Sequence, residues 1–150
     1  MLTLYKKLIS SKIFKDWNNK NKDSFLCSFV LIDNPQFDFY NKNDTMTSFM
    51  MKDKIEVIED EEIYNETKIK PLQIKDIKSS EDKVIEIIKD KYPKEKFGKE
   101  IIILQNQDRQ LWNITIITAS LKLLNVKVDM NNKIVSETFE PLTKFMKKVK

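Results

Sequence analysis

Apolar residues along this chain change their spacing several times, and each change marks a predicted element. Between residues 1 and 17, Leu2, Tyr5, Leu8, Ile9, Ile13 and Trp17 recur at steps of three and four, with Lys6, Lys7, Lys12 and Lys15 among them. That period gathers the apolar side chains on one face of a helix. The polar run from Asn18 to Ser24 breaks it, and Phe25 to Ile32, rich in β-branched and aromatic residues, reads as a strand. Asp33, Asn34 and Pro35 turn the chain, Gln36 to Tyr40 alternates polar and aromatic positions, and Asn41 to Asp44 turns it again. In that second strand the alternation sends Phe37 and Phe39 toward a core and Asp38 and Tyr40 toward water. Thr45 to Met51 and Lys54 to Ile58 extend the series as antiparallel strands.

From Glu59 to Lys78 the chain is charged and weakly periodic, and Pro71 opposes a continuous helix, so this stretch is expected to be a connector. Ser79 or Ser80 then caps a helix whose first turn holds Glu81 and Asp82, matched to the helix dipole, and whose inner face is Val84, Ile85, Ile87, Ile88 and Tyr92. Pro93 ends it. Four β-rich segments follow, Glu100 to Gln105, Leu111 to Thr118, Leu121 to Asp129 and Lys133 to Thr138, separated by short polar breaks. A short helix from Pro141 to Lys148 is expected last. The predicted fold class is α+β: two helix-plus-antiparallel-meander units, residues 1–58 and 79–150 joined by the connector 59–78, whose sheets join or pack together. The repeated element order suggests a tandem duplication.

Composition narrows the chemistry. The 150 residues suffice for a real core, and 41% hydrophobic with 33% charged residues suits a folded, water-soluble chain. No apolar run approaches the length of a membrane-spanning helix, and the first 17 residues lack the layout of a secretory signal, so a cytoplasmic location is expected. With no histidine, Ser-His-Asp and Cys-His catalysis and the usual mixed zinc sites have no imidazole to use. With one glycine, Gly98, the chain cannot build a phosphate-cradling loop. The single cysteine, Cys27, sits in an apolar stretch and reads as a core residue. The net charge of +4 is uneven: the ends are basic, while Asp53 to Glu62 is acidic enough to repel a phosphate backbone.

The segment WNITIITASLKLLNVKVDMNNKIVSETF resembles the strand region of PepSY-like domains, in which an aromatic strand leads to a strand ending V-x-V-D, a tight turn and a K-[IV]-[IV] strand. Trp112, Val126, Val128, Asp129, Lys133, Ile134 and Val135 occupy those positions, and Asn132 stands where the family usually has a turn glycine. The resemblance covers residues 79–138. It implies a helix followed by a strand meander, and a role in binding or restraining partners rather than chemistry.

The candidate sites weigh toward plain structural roles. Glu59 to Glu62 point to alternate sides of an extended chain and so make a solvated run rather than a cation site. Asp129, Asn131 and Asn132 are read as turn formers. Glu100, Asp108, Glu137 and Glu140 would support acid-base work only if folding paired two of them in a pocket. No catalytic, cofactor-binding or metal-binding residue is assigned and no cofactor is expected. The expected function is a non-enzymatic protein-binding module whose partner is another protein or a second copy. The alternative is nucleic-acid binding through the basic N- and C-terminal segments.

Overall fold

The computed structural model describes residues 1–63 and 68–146. The elements are α1 (Leu2–Ser10), α2 (Lys12–Lys20), β1 (Phe25–Leu31), β2 (Pro35–Tyr40), β3 (Thr45–Met51), β4 (Ile55–Glu62), a 3-10 turn (Ile74–Asp76), α3 (Glu81–Lys91), β5 (Phe97–Asn106), β6 (Gln110–Thr118), β7 (Lys122–Asp129), β8 (Ile134–Pro141) and α4 (Leu142–Met146). All eight strands form a single antiparallel sheet in the order β4-β3-β2-β1-β5-β6-β7-β8.

This overturns the expected pair of helix-plus-meander units. The molecule is mostly one sheet, carried through its middle by β1 and β5, where Ser28, Phe29, Val30 and Leu31 pair with Gln105, Leu104, Ile103 and Ile102. Three of those four pairs, Phe29 with Leu104, Val30 with Ile103 and Leu31 with Ile102, are apolar on both strands, so each has a well-packed neighbour across the ladder. Periodicity reports which side of a strand is buried but not which strand lies beside it, and the β1·β5 pairing spans more than 70 positions of chain.

Helices α1, α2 and α3 all pack on one face. Strand residues on that face include Phe29, Phe37, Phe39, Phe49, Leu104, Trp112, Ile114, Ile116, Leu124, Val126 and Val128, all buried. An aromatic cluster ties α2 to the β2–β3 half: Phe14 and Trp17 lie 5.4 and 5.3 Å from Phe39, and 5.5 and 5.1 Å from Phe49. From α3, Val84, Ile85 and Ile88 enter the same core, and Tyr92 packs on Phe139 at 5.4 Å. Its hydroxyl donates to Glu137 at 2.5 Å, and Lys91 pairs with the same carboxylate. These two bonds hold Glu137 below the usual carboxylate range, Lys91 contributing most.

The first helix is two. Ser11 sits at ψ 150° between them, its hydroxyl donating to the Leu8 carbonyl at 2.6 Å and accepting from the Phe14 amide at 3.2 Å. This N-cap restarts the helix at a new angle. Phe14 therefore turns inward with Trp17, whereas Ile13, expected on the inner face, is 41% exposed. At the other helix, Ser80 is the cap, accepting from the Lys83 amide at 3.3 Å. Strand β4 runs through Glu62, so Glu59 to Glu62 belong to the sheet edge and not to a connector. Pro141 closes β8 instead of opening the last helix, and residues 147 and 148 of that expected helix lie outside the described residues.

Asp44, Asp60, Leu121 and Asn132 take positive φ. Asn132 adopts φ 65°, the left-handed conformation for which asparagine replaces glycine most readily, and Asp129 Oδ1 accepts from the amides of Asn131 and Lys133 at 2.8 and 2.9 Å. Those amides, led by Lys133, and the guanidinium of Arg109 at 3.1 Å hold the Asp129 carboxyl below its ordinary range. Gly98 answers a different need: a side-chain Cβ there would stand 2.7 Å from the Ile117 carbonyl oxygen on β6.

Candidate functional site

The strand period of two leaves a second face that no described helix covers, although segment 68–70 lies against part of it beside Ser28, Met46 and Gln105. Cross-strand register identifies its residues. In the β1–β4 half they are Phe25, Ser28, Val30, Gln36, Asp38, Tyr40, Met46, Ser48, Met50, Glu56 and Ile58. In the β5–β8 half they are Ile101, Ile103, Gln105, Leu111, Asn113, Thr115, Ile117, Leu123, Asn125, Lys127 and Asp129, with Ser136, Thr138 and Glu140 on β8. Most are half-buried by their neighbours in the sheet, and Ile58 is 44% exposed. Apolar side chains thus form a broad belt: Val30, Ile101 and Ile103 in the middle, Met46, Met50 and Ile58 toward β4, Leu111, Ile117 and Leu123 toward β7.

A polar cluster sits inside this belt. Asp38 is 5% exposed, not turned to water as its alternation suggested. Its Oδ2 accepts from Ser28 at 2.8 Å, and its Oδ1 accepts from Gln36 at 2.7 Å and Ser48 at 2.6 Å. Three donors compensate the carboxylate for lost water, as burial of a charge requires. The sequence signal for this was available in outline: serines stand at the positions opposite Asp38 on both neighbouring strands, Ser28 and Ser48. It becomes readable only once the register is known. A second network lies across β6 and β7, where the Asn125 amide donates to Asn113 at 2.8 Å and Thr115 at 2.9 Å.

Cys27 is buried, as its apolar setting predicted. It is the extra residue where the β1–β2 register shifts between Leu26 and Ser28, and its thiol donates to the Asp38 carbonyl at 3.3 Å. Burial first, then the charge of Asp38, push the thiol from about 9 up to about 12.

Near the β5–β6 turn the face dips into a depression of about 200 Å³ lined by Gln105, Arg109, Leu111, Asn113 and Lys127. A larger groove of about 550 Å³ lies on the helical side, where Ile32, Leu31, Ile85 and Ile102 meet Asp82, Glu86 and Glu100.

The carboxylates singled out for acid-base work are not gathered. Glu100 lines the groove beside α3, and Asp108, in the β5–β6 turn, lines the smaller depression with Arg109 and Lys127. Glu137 is bound by Lys91 and Tyr92, and Glu140 pairs with Lys144 at 2.7 Å. The aromatic run of β2 divides as well: Phe37 and Phe39 are core, while Tyr40 lies on the open face 5.4 Å from Phe25, its hydroxyl donating to Asp44 at 2.7 Å. Among the described residues no group of three acidic or cysteine side chains is arranged to hold a metal ion, and no helix is long and apolar enough to cross a membrane. Compared with known proteins, the chain matches no family model, and neither a curated protein nor a solved structure is similar to it.

Proposed function

We propose that this protein works by contact, binding another polypeptide through the open face of its sheet. The observation that carries this reading is the apolar belt running across that face from Ile58 on β4 to Leu123 on β7, interrupted by polar groups that are already hydrogen-bonded. Apolar positions supply area, and the satisfied polar network fixes orientation without presenting unpaired donors to a partner. The PepSY-like pattern of residues 79–138 supports the same kind of role, since members of that family are thought to bind or restrain partners.

A photoreactive amino acid placed at Ile117 or Leu123 is expected to give reproducible adducts with a polypeptide, and the same group at Lys75 or Lys78, exposed on other parts of the chain, is expected to give none. Adducts arising only from the helical side would overturn the reading. The nucleic-acid alternative has one supporting observation: Lys6, Lys7, Lys12, Lys15 and Lys20 on α1 and α2 are exposed and form no ion pair among the described residues. Retention on heparin that falls steeply with salt and disappears on replacing those lysines would favour that alternative.

A further inference from the structure

We infer that the α1–α2 side of the protein docks on an anionic lipid surface, its lysines among the headgroups and Ile9, Ile13 and Pro71 set into the boundary beneath them. This surface is built on the helical side, apart from the open face, so either reading can fail without the other.

Charge gives the first argument. On α1 and α2, Lys6, Lys7, Lys12, Lys15 and Lys20 are exposed, and Asp16 is the one acid of the two helices. On the segment that carries Pro71 and Ile74, exposed Lys70 and Lys75 stand against Asp76. At the end of α2, Lys20, Lys22 and Lys42 share a depression with Asp23 and Asp60. The outward residues of α3 add nothing net, since Asp82, Glu86 and Asp90 are balanced by Lys83, Lys89 and Lys91. The acidic run of β4 lies one strand beyond β3, the strand whose Phe49 packs on Phe14 and Trp17. The positive charge is therefore concentrated along α1, the start of α2 and the 70–75 segment, and an anionic surface is its complement.

Apolar exposure decides which anionic partner fits. Ile9 is 38% and Ile13 41% exposed, four residues apart across the break at Ser11, with Lys6, Lys12 and Lys15 around them in the chain. Beside them a groove of about 520 Å³ runs between the helices and the 71–74 segment, walled by Tyr5, Ile9, Phe25, Leu72 and Ile74, and Lys15 is the one charged side chain on its wall. A nucleic-acid backbone offers phosphates to the lysines but nothing to cover the isoleucines or to fill the groove. Phe14 and Trp17 are buried, so α2 has no free ring on which a base could stack. At a bilayer both kinds of side chain have a place. Apolar groups enter the boundary between headgroups and acyl chains, and lysines lay their methylene stems along it with the ammonium outward.

Co-sedimentation of the full chain with unilamellar vesicles tests this. Phosphatidylcholine vesicles carrying about 30% phosphatidylserine are expected to retain the protein at least ~10-fold better than phosphatidylcholine alone, and raising salt from about 0.1 to 0.5 M is expected to remove most of that difference. Ile9→Ser combined with Ile13→Ser leaves every charge in place and is expected to lower retention on the anionic vesicles at least ~10-fold. Ile58→Ser, on the open face, is expected to leave it unchanged. Should the double variant fold poorly by circular dichroism, Ile13→Cys labelled with a polarity-sensitive fluorophore replaces it, the native Cys27 being buried. Its emission is expected to shift to the blue on the anionic vesicles, and that of labelled Ile58→Cys is expected to stay. Equal retention on the two kinds of vesicle, an isoleucine pair whose loss changes nothing, an unmoved fluorophore at position 13, or tighter binding to a duplex oligonucleotide than to anionic vesicles at equal phosphate would overturn the inference.

Discussion

Replacing Trp112 with alanine is expected to cost about 3–5 kcal/mol of folding stability, the range for deleting a buried aromatic side chain. Trp112 is 1% exposed on β6, directly across from Leu104 on β5 and Val128 on β7, with its ring edge-on to Phe29 of β1 at 6.5 Å. It therefore fills space on both sides of the β1·β5 junction, and the cavity left behind opens where the two halves of the sheet share their core. Because domains of this size are stable by only about 5–15 kcal/mol, a loss of that magnitude removes a large part of the total. A urea titration followed by circular dichroism reads the effect as a lower midpoint. Ile58→Ala, at a position 44% exposed, is expected to lose less than about 1 kcal/mol in the same assay. Equal and small losses for the two variants would show that Trp112 is not at the centre of the core.

The second large effect concerns the only thiol. With its ionisation raised from about 9 to about 12, Cys27 holds roughly 1000-fold less thiolate at pH 8 than an ordinary cysteine. Alkylation by iodoacetamide in native buffer is expected to be slower by at least that factor than in urea. Linkage gives the matching pH dependence. The folded state keeps this proton where the unfolded chain releases it, so the thiol's contribution to stability is fully present below pH 9 and is lost as the pH climbs from about 9 toward 12. Cys27→Ser is expected to remove that component of the alkaline decline. Rapid native labelling at pH 8 would contradict the buried bulge on which the site description depends.

Much of the local structure was legible in the sequence because it is set by neighbouring residues. Strands β1 to β3 and β6 to β8 fall close to their predicted positions, since alternation and turn chemistry act over a few residues. Asn132 as the substitute for a turn glycine could be anticipated because few residues tolerate φ 65°. The break at Ser11 was hidden by the apolar period, which continues across it. Only the Ser11 hydroxyl, bridging Leu8 and Phe14, ends one helix and begins another.

What remained illegible was register. Asp38 looked like a solvent residue because it alternates with two phenylalanines, and its burial comes from serines brought opposite it by β1 and β3. The joining of the halves by β1 and β5 is likewise a matter of long-range pairing, and without it there is no continuous eight-stranded face to propose as a site. The candidate interaction face is therefore a property of topology, assembled from residues that in isolation look like ordinary strand positions.

Methionine oxidation footprinting most directly tests whether the open face is the working surface. Met46 and Met50 lie on it, while Met51, one residue further on β3, is buried in the core. At working concentration in cells, Met46 and Met50 are expected to oxidise several-fold more slowly than in highly diluted purified protein, with Met51 slow in both. Equal oxidation of Met46 and Met50 in the two settings would show the face to be bare where the protein acts, and would contradict the account.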